Sequence, residues 1–280
     1  MEKVSQNLEY ELMNTTMTFV FPNVDERYAR SAAYDCFIKL CAVEDLISMF
    51  RTGSDVSMLN EVPVGRVVKI ADSTYDCLLS AFEACRLSKG AFDICMGEYF
   101  LRAKGLPMGE GVDTPRRGKF AFDRENYLVQ KLEDGKIDLG AIGKGYALDR
   151  VAQILDEDWE IKDAFVSFGA SSIYAAGKNG DGADWQINLS DTVSVPLKNA
   201  FAGASGTSVL GKHIVDCRTG EVPQTQPFRT WAFSGNGAIS DAMATAFMLL
   251  GEDEIGQICA ENPISAAVQQ TPDSEIKFFE

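Results

Sequence analysis

Asp241 and Thr245 stand four residues apart in the stretch GAISDAMATAFMLLG, residues 237–251. On a helix that spacing puts a carboxylate and a hydroxyl one turn apart on the same face. Two hard oxygen donors so placed suit Mg²⁺, which takes few protein ligands and completes its shell from phosphate and water. The same residues admit a plainer reading. Ser240 would cap the helix, Gly251 would stop it, Asp241 would complement its positive end, and Thr245 would pack.

The segment DLGAIGKGYALD, residues 138–149, offers a second kind of chemistry. Its glycines precede and open a stretch in which Ala147, Val151, Ile154 and Leu155 recur at helical spacing. A glycine turn at a helix start exposes backbone N–H groups to an anion, and Lys144 adds a point charge. The pattern is neither a P-loop nor a dinucleotide-binding fingerprint, so a strand-to-helix turn with a solvent-facing lysine is the alternative.

The third stretch, GKHIVDCRTGEVPQ, carries the only histidine of the chain, His213, with Asp216 and Arg218 nearby. His213 would serve as a base or a phosphate donor, or be structural. Asp216 to Gly220 also reads as ordinary turn chemistry.

These stretches need a scaffold. LEYELMNTTMTFVF, residues 8–21, alternates as strand and is interrupted at MNTT. Periodicity predicts helices over 25–50, with Ala29, Ala33, Phe37, Leu40 and Cys41 on one stripe, and over 72–88 from a cap at Asp72 or Ser73. Residues 51–65 and 105–118 read as loops, and 89–97 is undecided. Short strands are expected around 119–132, within 163–177, 184–191, 194–206 and 212–217, and as a last pair near 265–279. Strands and helices mix without βαβ alternation, which predicts an α+β fold of mixed or antiparallel sheets flanked by helices, one large domain over 1–280. No fixed-period repeat occurs.

A net charge of −15 over 280 residues argues against nucleic acid and against an anionic membrane surface. No apolar run reaches the ~20 residues of a membrane span. The seven cysteines are odd in number and form no Cys-x-x-Cys, which predicts free, mostly buried thiols and no zinc site. The first residues, MEKVSQNLEYELMNTTMTF, lack the pattern of a signal peptide or a lipid-attachment cysteine, and the expectation is a cytoplasmic protein.

Taken together and in order, DLGAIGKGYALD, HIVDCRTG and SDAMATAFMLLG resemble the blocks of the ApbE family, the FAD:protein FMN transferases. FVSFGASSIYAAG is similar to that family's "NLGGDI" strand, GAFDICMG to its "GAFDPTVG", MNTT to its Met-Gly-Thr, and FRTGSDVSMLN to its aromatic-Ser…Asn segment. The resemblance spans roughly residues 10 to 280. It implies a flavoprotein that binds FAD, uses Mg²⁺, and flavinylates a Thr or Ser hydroxyl of a target protein with release of AMP. It implies metal ligands at Asp241 and Thr245 and at the Ala141 carbonyl, with Asp241 and His213 as catalytic side chains. FAD contacts are implied at Asp138, Lys144, His213 and Ile214, and more loosely at Met13, Phe50, Ala91, Phe92 and Asp93. The Phe50 ring would offer a face to the flavin or adenine. The implied acceptor carries Asp-x-x-Thr-Ser/Thr; ASGTS at 204–208 lacks the Asp, so the acceptor is a separate protein.

The chain also departs from that pattern. Cys217 replaces a proline, Gly143 an alanine, Asn14 a glycine, Ser171 and Ser172 a Gly-Asp pair that would bring a carboxylate, and the span from Ser205 to His213 is short. Two alternatives use the same residues: an FAD pyrophosphatase giving FMN and AMP, and an FAD-binding protein without catalysis. A bulky Phe50 that excludes water would favour transfer over hydrolysis.

Overall fold

The structure, a computed structural model, describes residues 5–207 and 214–280. The chain opens with a hairpin, β1 (Gln6–Leu12) and β2 (Thr15–Phe21). Met13 and Asn14 form its turn, at φ 51° and 59°. A two-residue turn with both φ positive matches the twist of paired strands, which explains the polar interruption at MNTT. α1 (Glu26–Ile47) and α2 (Asp55–Glu61) follow. α2 lies inside the expected loop over 51–65. Ser54 caps it by accepting from the Ser57 N–H. Next come β3 (Val67–Lys69), α3 (Asp72–Leu87), a 3₁₀ turn at Ile94–Met96 and α4 (Gly97–Ala103). α3 begins after Ala71, with no side-chain cap, so neither Asp72 nor Ser73 plays that role.

β4 (Lys119–Asp123) and β5 (Leu128–Glu133) join β3 in a three-stranded sheet, in the order β3-β5-β4. α5 (Gly143–Glu157) grows from the glycine motif. β6 (Ala164–Phe168), β7 (Ser172–Ala176), the hairpin β8 (Trp185–Asn188) and β9 (Ser194–Leu197), and β10 (Ala200–Gly206) follow. β11 (Arg229–Ser234) leads to α6 (Gly237–Phe247), α7 (Glu252–Glu261), β12 (Ile264–Gln269) and β13 (Ile276–Phe279). Among the described residues of the expected strand over 212–217, only Asp216 pairs, in an isolated bridge with Glu221. Gly251 is the N-cap of α7 rather than the stop of α6.

The main sheet has eight strands in the order β1-β2-β6-β7-β10-β11-β12-β13, antiparallel at every pairing. The expected α+β class of antiparallel sheets flanked by helices is what forms. One core joins β1, β2 and β6 to α1 and α5, with Phe19, Phe21, Leu40, Leu148 and Phe168 sealed from solvent. A second surrounds α3, α6 and α7. Each large apolar side chain so buried contributes roughly 1.5–3 kcal/mol.

α6 lies close against its neighbours because its packing residues are small. Ala238, Ala242, Ala244 and Ala246 are wholly buried. On β10, Gly203 takes the one side chain that fits: a Cβ there would come within 2.2 Å of the Ser240 carbonyl oxygen. This contact holds α6 against β10 at Ser240 and Asp241.

Candidate active site

A cleft of about 710 Å³ opens between the glycine motif, the β1–β2 turn and the β6–β7, β10 and β11 ends of the sheet. Asp241 and Thr245 both line it, as their spacing requires. Asp241 does not complement the start of its own helix. Asn236 caps α6 by accepting from the Ile239 N–H, and the Asp149 carboxylate accepts from the Gly237 and Ala238 N–H groups at 2.6 and 2.8 Å. Asp241 sits a turn further along and faces α5. Its Oδ2 accepts from the Gly145 N–H at 3.0 Å and lies 3.6 Å from Lys144 Nζ. Its Oδ1 accepts from Ser172 Oγ at 2.9 Å. A carboxylate with two donors and a lysine is held in one orientation although it is only 5% exposed.

These bonds change the reading of the glycine turn. The N–H groups expected to be free for an anion are mostly engaged: Gly143 donates to Leu139 O, Gly145 to Asp241, and Gly140 to Asp138 Oδ1. The Lys144 N–H makes no hydrogen bond among the described residues. An anion arriving here meets the Asp241 carboxylate and needs positive charge beside it, part of which Lys144 supplies. Thr245, whose hydroxyl has no partner among the described residues, and Ala141 line the same cleft. A carboxylate, a hydroxyl and a backbone carbonyl are the sparse, hard donor set that suits Mg²⁺ with water and phosphate completing the shell. Among the described residues no three His, Cys, Asp or Glu side chains gather to hold a metal by themselves.

The other expected contacts divide. Met13, Ala91, Phe92, Asp138, Lys144 and Ile214 line the cleft. Met13 does so from the first position of the β1–β2 turn, in the left-handed conformation that such a turn takes. Asp138 pairs with Lys104 at 3.8 Å. Asp93 does not line the cleft. It is 6% exposed, caps the Ile94–Met96 turn by accepting from the Cys95 N–H, and pairs with Arg117. Phe50 is 66% exposed just past the end of α1 and also lies outside the lining, so it shields nothing from water there. His213 lies outside the described residues. Its neighbour Ile214 is fixed to the wall by Gln226, whose Nε2 donates to the Ile214 carbonyl at 2.8 Å.

Three site residues escaped sequence reasoning. Ser172 looked like the loss of a carboxylate, and instead it holds Asp241. Asp149, the last residue of the glycine motif, anchors the start of α6; burial pushes its carboxyl up to about 6 despite the two N–H donors. Arg229, the first residue of β11, lines the cleft, and nothing in an alternating strand sequence marks it. The expected free thiols are all present, and Cys217 lies buried in the cleft wall with its Sγ 3.7 Å from the Asp93 carbonyl.

The fold and the cleft have counterparts among known proteins. The flavin transferase ApbE from Vibrio cholerae superposes with a TM-score of 0.83 at 21% identity, covering 99% of this chain and 97% of that one. The apo form of Pseudomonas stutzeri flavinyl transferase ApbE gives a TM-score of 0.87 at 19% identity, covering 100% and 97%. In sequence, the FAD:protein FMN transferase of Escherichia coli K12 is 20% identical over 283 residues, 90% of this chain and 80% of its own. The sequence pattern of the ApbE family matches residues 13–268, with the glycine motif, Asp241 and Thr245 all inside the match, and this chain belongs to that family.

Proposed function

We propose that this protein is an enzyme that transfers the FMN half of FAD to a threonine or serine hydroxyl of a separate protein carrying Asp-x-x-Thr-Ser/Thr, with release of AMP. In the reaction the acceptor oxygen bonds to the FMN phosphorus and the bond from that phosphorus to the bridging oxygen of AMP breaks. The observation that carries the reading is the junction of two helices. Asp241 of α6 is bonded to the first turn of α5 at Gly145, flanked by Lys144, with the open Thr245 hydroxyl one turn along.

Asp241, Thr245 and the Ala141 carbonyl are the residues that would hold Mg²⁺. When bound, the ion neutralises the diphosphate beside Asp241 and stabilises charge on the phosphoryl oxygens. Lys144 adds its charge on the same side, and the Ser172 and Gly145 bonds fix the carboxylate so that little reorganisation is needed during the reaction. Met13, Ala91 and Phe92 give the cleft an apolar floor for the planar rings of the dinucleotide. His213, next to Ile214 in sequence, is the side chain proposed to take the acceptor proton.

The test is AMP release from FAD with Mg²⁺, with and without the peptide Asp-Gly-Ala-Thr-Ser, against the Asp241→Ala variant. AMP that needs the peptide, appears with equimolar flavinylated peptide and disappears in the variant supports transfer. Sustained AMP without peptide identifies a pyrophosphatase. FAD bound with no AMP in either tube identifies a binding protein.

A further inference from the structure

Three cations line the cleft among the described residues, and two have a carboxylate partner. Lys144 pairs with Asp241 and Lys104 with Asp138. Arg229 has none. Its guanidinium lies 5.1 Å from the centre of the Trp231 ring, and Nη2 donates to the Ala170 carbonyl at 3.3 Å. Those two contacts fix its plane and leave most of its N–H donors unused. Burial also pulls its pKa down, the sign of a charge held out of water without compensation. Opposite Arg229 on β10 stands Gly206, where a Cβ would come within 3.4 Å of Arg229 Cγ, so a side chain there would crowd the arginine.

The position is close to the reacting centre. Ala170 receives the Arg229 bond, and Ser172, two residues on, donates to Asp241. The β6–β7 turn thus touches both side chains, and both line the one cleft. The charge count then selects a ligand. The carboxylates of Asp138 and Asp241 offset the two lysines, and a divalent cation offsets the diphosphate of FAD. Arg229 is left as one uncompensated positive charge. The dinucleotide has no third anion to give it, so the anion comes with the second substrate.

We propose that Arg229 binds a side-chain carboxylate of the acceptor polypeptide and so selects hydroxyls that have an acidic neighbour. The assignment rests on the transfer reading above. A guanidinium presents paired donors that match the two oxygens of a carboxylate. The anchored plane of Arg229 makes that match specific, and the acidic body of the protein repels carboxylates that find no such fork.

The experiment uses the 280-residue chain with FAD and Mg²⁺, and three peptides that differ at one place: Asp-Gly-Ala-Thr-Ser, Asn-Gly-Ala-Thr-Ser and Lys-Gly-Ala-Thr-Ser. The wild-type protein is expected to label the Asp peptide with a KM about tenfold below that of the Asn peptide, as befits a charge-assisted pair. Arg229→Ala removes that difference through KM rather than kcat. Arg229→Glu reverses it and prefers the Lys peptide, a switch that a merely structural arginine cannot produce. In parallel, binding of the unreactive peptide Asp-Gly-Ala-Val-Ala is measured by fluorescence anisotropy, and FAD affinity by flavin quenching. FAD affinity within twofold of wild type in Arg229→Ala supports the assignment. A tenfold loss of FAD affinity gives the guanidinium to a phosphate and overturns it, as does an Asp preference that survives in Arg229→Glu. If the wild-type protein labels no peptide, the transfer reading fails. The anisotropy measurement then still decides the Arg229 contact.

Discussion

Gly145 and Gly237 meet backbone to backbone: a Cβ on Gly145 would lie 2.1 Å from the Gly237 carbonyl oxygen, and one on Gly237 would lie 2.4 Å from that of Gly145. The first turns of α5 and α6 touch here with no side chain between them. The contact is what lets Asp241 reach the Gly145 N–H and lets Asp149 reach the start of α6. A glycine inside a helix ordinarily gains about 1 kcal/mol on replacement by alanine. Gly145→Ala is expected to lose instead, by about 1–3 kcal/mol, because the new methyl strikes a carbonyl and Asp241 Cβ at once. Urea unfolding measures the sign. A variant as stable as wild type would show that the two helices part without cost.

How much of this was legible beforehand follows from what each residue depends on. Asp241 and Thr245 could be read because helical spacing alone puts them on one face. The β1–β2 turn could be read from the polar break at MNTT. α2, α4 and α7 were missed because seven- and ten-residue helices are stabilised by burial against the rest of the chain rather than by local pattern. Gly251 was assigned to the wrong helix end, since glycine favours both a stop and a start. Ser172 and Arg229 take their roles from partners 69 and 59 residues away. No single-segment pattern contains such a relationship.

Ser172 offers a test of how Asp241 is held. It is 1% exposed and its hydroxyl is spent on Asp241 Oδ1. Ser172→Ala keeps the carboxylate and its bond to Gly145 but frees one oxygen to rotate. The Mg²⁺ concentration for half-maximal transfer is expected to rise about tenfold, the usual consequence of losing a bond that orients a metal ligand. Calorimetric titration with Mg²⁺ checks the same number without turnover. An unchanged midpoint in both would mean that Gly145 and Lys144 suffice.

The seven cysteines make a prediction about reactivity. Burial pushes the Cys36 and Cys217 thiols up to about 12 and Cys259 to about 11, and raises Cys77 and Cys95 as well. A thiol attacks as thiolate, so these five should be nearly inert in the folded protein at pH 8. Cys41 and Cys85, partly exposed, should react first with a disulfide reagent. All seven should titrate once the protein is unfolded, since none is in a disulfide. Mass spectrometry of the partially labelled protein identifies the order. Early labelling of Cys217 would mean that the cleft wall opens.

Asp149 gives a pH dependence whose sign is fixed. Its folded pKa, about 6, lies above the value of 3.8 for a free aspartate, because burial disfavours the charge more than the Gly237 and Ala238 N–H groups favour it. The folded protein therefore binds more protons at this site than the unfolded chain between those values. Stability from Asp149 is fully present below the unfolded pKa and is lost as pH rises through the folded one. Asp149→Asn cannot ionise and escapes that loss, though its amide offers one acceptor oxygen where the carboxylate offers two. The variant should stand lowest relative to wild type near pH 4 and gain on it as the pH climbs to 7. Thermal melts of the pair across that range read the slope directly. A difference that stays flat, or that moves in favour of wild type as pH rises, would mean that the helix N-terminus stabilises the carboxylate fully and that Asp149 is an ordinary charged cap.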